Sequence, residues 1–288
     1  MSIINVSDIC QFVKECDFVT VKELCESFGI CVKEKTLDGK EVFLLANTND
    51  SVKNTKKNTK NAQDVIMEQD EIVQDVIMEQ DVIMEQDDSK FKNIIEKYNI
   101  DEIKLQTNGL IFEKETGNVI AMCQRRFTDV GSFEDVIDMV NKNDNCRVEY
   151  CEDGTIVRLY YYGGKWRTAT TRCIDANDSY WSSSKNFDCL FWQIFDTEYL
   201  DTLEKNYTYV FVLLHRENRI VVRHNVNMLV YVSRIDNNSH IEDYNNVFKK
   251  VYGIKRPKML DLYEFRMSNF SSLVSFCQAS DIPDLFIP

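Results

Sequence analysis

Two short apolar segments joined by a pair of glycines constrain the fold of this chain most strongly. Residues 155–162 and 165–171 are rich in β-branched and aromatic side chains, and Gly163-Gly164 between them is typical of a tight hairpin turn. Such turns connect neighbouring strands that run in opposite directions. The sequence therefore predicts antiparallel sheets.

Further strand and helix signals indicate an α+β fold. Thr20 and Glu23 form a capping-box pattern that predicts a helix over residues 21–28. The other expected strands are 41–46, 109–112, 119–123, 207–214, 220–223 and 228–233, and the other expected helices are 91–98, 133–141, 186–195 and 245–252. The predicted fold class is α+β, with antiparallel sheets flanked by helices.

Residues 51–90 differ in composition from the rest of the chain. A Lys-Asn-Thr stretch is followed by the unit Asp-Val-Ile-Met-Glu-Gln, which starts at Asp64, Asp75 and Asp81. This unequal spacing argues against a solenoid, whose repeats recur at a fixed period. We expect a disordered low-complexity insertion that divides one domain into residues 1–50 and 91–288. Alternatively, the acidic repeat is a binding segment for a protein partner.

Charge and cysteine content limit the classes of partner and the compartment. A net charge of −13 and a sequence pI near 4.8 argue against nonspecific binding along nucleic acid, although a locally basic groove stays open. The ten cysteines are scattered without a Cys-x-x-Cys pair, so we expect no metal site and a reduced, cytoplasmic location, in the host if the chain is viral. No apolar run approaches the roughly 18 residues of a membrane helix, so no membrane contact is expected.

The segment Glu149-Tyr150-Cys151-Glu152-Asp153-Gly154-Thr155 precedes one of the expected strands. It resembles the nucleotidyl-transfer motif of phage-type ATP-dependent RNA ligases, in which a lysine, one residue and Asp-Gly precede Ser or Thr and a strand. In that motif the lysine amine attacks the α-phosphate of ATP. Residues 108–127, 161–176 and 207–222 are similar to further elements of the family, in the same order.

The resemblance implies the nucleotidyltransferase fold of an RNA-ligase adenylation domain, which is ATP-grasp-like. It also implies nucleotide and RNA-end binding, with ATP and Mg²⁺ as cofactors if nucleotide binding is retained. The residues carried over are Cys151 at the catalytic position and Glu149, Asp153, Gly154, Arg126, Arg172 and Arg219 at nucleotide-binding positions. No residue is carried over as a metal ligand.

Several positions depart from the family pattern. Cys151 replaces the nucleophilic lysine, Asn108 replaces an arginine, Val212 replaces a glutamate that helps to place ATP or a metal, and Cys173 replaces a glycine. We also expect the chain to lack the family's final acidic-Gly strand and to have no residues left for the lysine pair that grips the triphosphate.

These departures leave two functional hypotheses. The thiol of Cys151 is several bonds shorter than a lysine amine and would not reach the same phosphorus without rearrangement. We favour an inactive relative that retains nucleotide or RNA-end binding or serves as a scaffold. The alternative is an active ligase that forms an AMP intermediate and seals 5′-phosphate and 3′-hydroxyl RNA ends.

Each candidate residue also has a structural interpretation. Cys151 can simply fill the space vacated by lysine, and Asp153-Gly154 can keep a turn without a nucleotide. The arginines are either phosphate contacts or solvated charges. We expect sheet packing for Tyr160, Tyr161, Tyr162 and Trp166 in preference to base stacking, and core-anchoring roles for Trp181 and Trp192.

Overall fold

A computed structural model describes residues 6–47, 100–124, 149–249, 251–259 and 285–286 of the 288-residue chain. The chain divides into two compact units, Met1–Ala121 and Met122–Pro288. The expected insertion, the expected helices at 91–98 and 133–141, and Arg126 lie outside the described residues. None of the described helices has the length and apolarity needed to cross a lipid bilayer.

The first unit is a four-stranded antiparallel sheet with helices, in the strand order β1-β2-β3-β4. Phe43 of β2 stacks on Phe112 of β3 with ring centroids 5.3 Å apart, and both rings are fully buried. The elements are α1 (Val6–Glu15), α2 (Phe18–Ser27), β1 (Ile30–Leu37), β2 (Lys40–Asn47), α3 (Ile100–Thr107), β3 (Ile111–Glu113) and β4 (Val119–Ala121).

The start of α2 differs from the sequence prediction. Asp17, and not Thr20, is the N-cap residue, because its carboxylate accepts the backbone N–H of Thr20 at 3.0 Å. The same carboxylate also accepts the Thr20 hydroxyl at 2.7 Å. Asp is as good an N-cap as Thr or better, so the helix begins one turn earlier than the capping-box pattern indicated.

The second unit is built on a larger sheet with the strand order β10-β9-β8-β6-β7. The neighbours along this order are antiparallel, while β11 pairs with β9 in parallel, and β12 pairs with β5 in a separate small sheet. The elements are β5 (Glu149–Tyr150), β6 (Thr155–Tyr162), β7 (Lys165–Thr170), α4 (Phe187–Trp192), β8 (Tyr207–Leu214), β9 (Met228–Asp236), β10 (Glu242–Asp243), β11 (Ile254–Lys255) and β12 (Leu285–Phe286), with 3-10 helices at Ala176–Asp178 and Thr197–Thr202.

An aromatic core holds α4 against this sheet. Asn186 caps α4 by accepting the backbone N–H of Cys189 at 2.7 Å, and the helix then buries Phe191. The Phe191 ring lies 5.4 Å from Phe211 of β8, which in turn contacts Phe248. Buried aromatic rings of this kind dominate core energetics, so these contacts hold α4 on the sheet.

The predicted α+β class and the Gly163-Gly164 hairpin are confirmed, and the strands expected at 109–112 and 119–123 form the antiparallel pair β3 and β4. The Gly163-Gly164 turn has φ values of 63° and 82°, which glycine adopts without steric cost. Two predicted elements of the second unit are wrong. Residues 245–249 are irregular because the side chains of Asp243 and Asn246 accept the backbone N–H groups of Asn245 and Phe248. Residues 220–223 are not a strand, for a reason that lies in the candidate site.

Candidate functional site

Cys151 lies directly after β5 and is exposed. The strand that presents it is held on two sides: Tyr150 pairs with Leu285 of β12, and its backbone N–H donates to the carbonyl of Lys258 at 2.8 Å. Glu149 forms an isolated bridge with Met259. The backbone therefore presents the side chain at position 151 from a fixed strand end, as a nucleophile would require.

Asp153 ties a second segment of the chain to this strand end. Its carboxylate oxygen Oδ2 accepts the backbone N–H groups of Val221 and Val222 at 2.9 and 2.6 Å. The ring Nε2 of His224 donates to the backbone carbonyl of Asp153 at 2.5 Å. Because two successive N–H groups are directed to one carboxylate, they are unavailable to a sheet ladder, which explains why the strand predicted at 220–223 does not form.

Gly154 is required by close packing. A Cβ atom at this position would lie 2.6 Å from Cγ1 of Val212 and 2.7 Å from the backbone oxygen of Leu213. Contacts shorter than 3.0 Å essentially never occur for a real Cβ atom. Asp153 and Gly154 thus have structural roles, in anchoring residues 221–222 and in packing against β8, and their role in nucleotide binding stays a prediction.

A buried turn supports the same strand end. Nδ2 of Asn218 donates to the hydroxyl of Thr155 at 3.1 Å, and the backbone N–H of Asn218 donates to the carbonyl of His215 at 3.0 Å. The ring Nδ1 of His215 accepts the backbone N–H of Glu217 at 3.1 Å, so Nε2 carries the proton and donates to Oε1 of Gln193 at 3.2 Å. Burial lowers the pKa of His215 from its ordinary 6.5, which keeps the ring neutral.

Three basic residues flank the strand end, and the sequence analysis missed them. Nζ of Lys255 lies 2.6 Å from Oε1 of Glu152, and Nη2 of Arg256 lies 3.5 Å from the buried Glu149 carboxylate. The Lys258 ammonium lies 4.9 Å from the ring centroid of Tyr150. The run Lys255-Arg256-Pro257-Lys258 was the available signal, but its position beside Cys151 depends on the pairing of β11 with β9.

Of the other nucleotide-binding candidates, Arg219 and Arg172 are both exposed at this end of the sheet. Arg219 belongs to the segment that Asp153 holds, and its Nε donates to the carbonyl of Val221 at 3.1 Å. Arg172 follows β7, and Thr170, the last residue of β7, pairs with Val157 near the start of β6. Arg126 lies outside the described residues. Four strand termini thus meet at one end of the sheet: the start of β6, the ends of β7 and β8, and the start of β9.

The substituted positions have structural roles. Val212 pairs with Ile156 and packs its side chain beside Gly154, so an apolar group stands where the family carries a carboxylate. In the first unit, Oδ1 of Asn108 accepts the backbone N–H of Asn47 at 3.1 Å. The described residues contain no group of three or more His, Cys, Asp or Glu side chains placed to hold a metal ion. No metal role can therefore be assigned to a particular residue.

The aromatic residues divide differently from the sequence prediction. Sheet packing is confirmed for Tyr160, which is buried with its hydroxyl on the carbonyl of Ile174, and for Trp166, whose ring lies 6.0 Å from Tyr209. Trp192 packs against the core as expected. The core-anchoring role expected for Trp181 is wrong, because 59% of its surface is exposed.

No family model matches this chain. Two viral proteins share local sequence similarity with it. The immediate-early protein ICP-46 homolog of Invertebrate iridescent virus 3 is 30% identical over 112 residues, which is 39% of this chain and 22% of that protein. The RNA ligase of Rhodothermus phage RM378 is 37% identical over 81 residues, which is 24% of this chain and 18% of that protein. The chain therefore matches only about a fifth of the length of each relative.

The fold is similar to that of solved ligase structures. Two forms of an archaeal ATP-dependent RNA ligase superimpose with TM-scores of 0.52 and 0.51 at 9% sequence identity, over 99% of this chain and 61% of the ligase. The predicted antiparallel architecture, the motif at Cys151 and these similarities agree with one another. The chain has an RNA-ligase-like nucleotidyltransferase fold.

Proposed function

We propose that this protein binds a nucleotide or the 5′-phosphate end of RNA without forming a covalent adenylate. The observation that carries the proposal is Cys151, which is exposed directly after β5 at the motif position that the resemblance assigns to the nucleophile. Asp153 still anchors its loop, and Gly154 is still packed so closely that no side chain fits. Position 151 therefore carries a short thiol where the resemblance expects a long amine.

Retention of phosphate binding is supported by the basic residues beside Cys151. Lys255 is paired with Glu152 at 2.6 Å, yet both side chains are partly exposed, at 41% and 27%. Exposed ion pairs contribute only about 0–1 kcal/mol, so a phosphate group can compete with Glu152 for the Lys255 ammonium. Arg172 and Arg219 are exposed at the same end of the sheet and can donate further charge-assisted hydrogen bonds to a phosphate.

Loss of covalent transfer is supported by two substitutions that lie close together. Cys151 lacks the reach of lysine, and Val212 places an apolar side chain against Gly154 where the family has a carboxylate. Catalysis of phosphoryl transfer depends on charged groups placed around the reacting phosphate. We therefore expect ATP, with Mg²⁺ on its phosphates, to bind without becoming attached to the protein.

Label transfer tests this proposal. The purified full chain is incubated with Mg²⁺ and ATP labelled at the α-phosphate, and denaturing electrophoresis is expected to show no labelled protein. Equilibrium dialysis with the same ATP is expected to show binding that Lys255→Ala weakens by about tenfold, as loss of a hydrogen bond to a charged group would. Lys205→Ala is the matched control, because that ammonium lies over the Tyr161 ring, at the opposite end of β6.

Two results would contradict the proposal. Labelled protein whose label disappears in Cys151→Ser would show an active enzyme that uses the thiol. Absence of ATP binding, together with absence of binding to a 5′-phosphorylated RNA, would leave only the scaffold role of the fold.

A further inference from the structure

Tyr180 and Trp181 are two neighbouring aromatic side chains that the fold leaves exposed, at 55% and 59% of their surface. Hydrogen bonds hold the backbone on both sides of them. The Ser179 carbonyl accepts the backbone N–H of Phe187 at 3.0 Å, and the Ser183 hydroxyl accepts that of Lys185 at 3.0 Å. Two large exposed rings on a fixed segment mark a binding surface, because folding normally buries such rings.

This segment lies against a chain of arginines. The Ser182 hydroxyl accepts the backbone N–H of Arg219 at 2.7 Å, and Nζ of Lys185 lies 2.8 Å from Oε1 of Glu217. The backbone of Arg219 therefore lies against Ser182, beside Trp181, and Arg216 and Arg223 are exposed on the same stretch of chain as Arg219. The acids that contact this segment are Glu217, which is paired with Lys185, and Asp153, so the three arginines leave the local charge positive although the whole chain carries −13.

The arginine segment also connects the aromatic rings to Cys151. Val221 and Val222, which follow Arg219, are held by the Asp153 carboxylate two residues beyond Cys151. The backbone of residues 219–222 thus contacts Asp153 at one end and Ser182, the neighbour of Trp181, at the other.

We propose that Tyr180, Trp181, Arg219 and Arg223 form a surface that binds single-stranded RNA. Aromatic faces stack on unpaired bases of any sequence, and arginines contact the phosphates between them, which is the combination that single-strand binders use. Duplex RNA hides its base faces and is not a ligand for this surface. The assignment of the strand to RNA rests on the proposed function, which places an RNA end at Cys151.

Fluorescence anisotropy with a labelled, 5′-phosphorylated oligoadenylate of about 12 nucleotides tests the surface. Trp181→Ala is expected to weaken binding by about 5- to 100-fold, because one stacked base is lost, while Trp181→Phe keeps a ring and stays close to the unmodified protein. Arg223→Gln is expected to reduce the slope of log K against log salt by about 0.7, the value for one phosphate contact on a single strand.

Tyr244→Ala is the matched control. This partly exposed ring follows Asp243, the last residue of β10, which pairs with Arg234 of β9. Arg234 lies six residues, or about 20 Å, from Met228 at the start of β9. The control is expected to bind the oligoadenylate as the unmodified protein does. Thermal unfolding of each variant checks that a loss of binding does not reflect a loss of folding.

The outcomes separate this inference from the proposed function. Equal binding by Trp181→Ala and the unmodified protein, or equal binding of the oligoadenylate and its duplex, would overturn the inference even if ATP binding is found. If ATP does not bind but the oligoadenylate binds and Trp181→Ala weakens it, the surface stands and the nucleotide site falls. A DNA oligomer of the same sequence, bound as tightly as the RNA, would overturn the assignment to RNA.

Discussion

Substitution of Gly154 by alanine is expected to destabilise the second unit through one steric clash. The new Cβ would lie 2.6 Å from Cγ1 of Val212, 2.8 Å from Cδ2 of Leu214 and 2.7 Å from the backbone oxygen of Leu213. The two side chains can rotate away, but the backbone oxygen belongs to β8 at the position that pairs with Thr155. The clash can therefore be relieved only by shifting β6 against β8.

Such overpacking costs about 1–3 kcal/mol, and the lower entropy of the unfolded alanine chain offsets roughly 0.4–1 kcal/mol of it. We expect a net loss of about 1–2 kcal/mol, which corresponds to a fall in Tm of about 2–8 °C for a unit of this size. Differential scanning calorimetry measures this fall in Tm. Gly163→Asn is the control, since Gly163 has φ 63° and Asn-Gly is the preferred pair for this kind of turn. If Gly154→Ala melts at the same temperature as Gly163→Asn, the packing argument is refuted.

Three further predictions follow from the site. Asp153→Ala is expected to release the Val221 and Val222 N–H groups and to speed tryptic cleavage after Arg219 or Arg223. Asp153→Asn keeps a hydrogen-bond acceptor, so its cleavage rate is expected to equal that of the unmodified protein. Equal cleavage rates for Asp153→Ala and the unmodified protein would show that Asp153 does not hold the loop. Burial lowers the pKa of His215 in the folded protein, so as the pH falls the unfolded chain takes up a proton at a higher pH than the folded chain does. Stability is therefore expected to fall as pH drops below about 6.5, and to fall less in His215→Gln. Parallel curves of Tm against pH from 5 to 7.5 for the two proteins would contradict this. Cys151→Lys is expected to stay unlabelled with α-labelled ATP because Val212 still supplies no carboxylate, and a labelled Cys151→Lys protein would show that the nucleophile alone is missing.

Local signals predicted the hairpins and the larger strands well. The Gly163-Gly164 turn, β2 and β8 needed no knowledge of the remaining fold, because a turn type and a run of apolar residues are properties of neighbours in sequence. The same kind of signal failed at residues 245–252, where the apolar residues resemble a helix but the Asp243 and Asn246 side chains capture the backbone. Helix α1 and strand β1 were also missed.

The candidate site was predicted only in part. The motif from Glu149 to Thr155 and the exposed Arg219 came from the sequence, but the partners of the motif did not. Asp153 meets Val221 at a separation of 68 residues, and Glu152 meets Lys255 at a separation of 103. No local pattern encodes contacts between residues so far apart in sequence.

Sequence alone determined that the chain forms antiparallel sheets and that a ligase-like motif carries Cys151 where lysine is expected. Tertiary structure decided what surrounds that residue. It brought Lys255 and Arg256 beside the motif and packed Gly154 against β8. It also left Trp181 exposed, although we expected this large aromatic side chain in the core. The physical reason is that hairpin formation depends on interactions within a segment and its turn, whereas the chemistry at one end of a sheet depends on which distant strand ends the fold brings together.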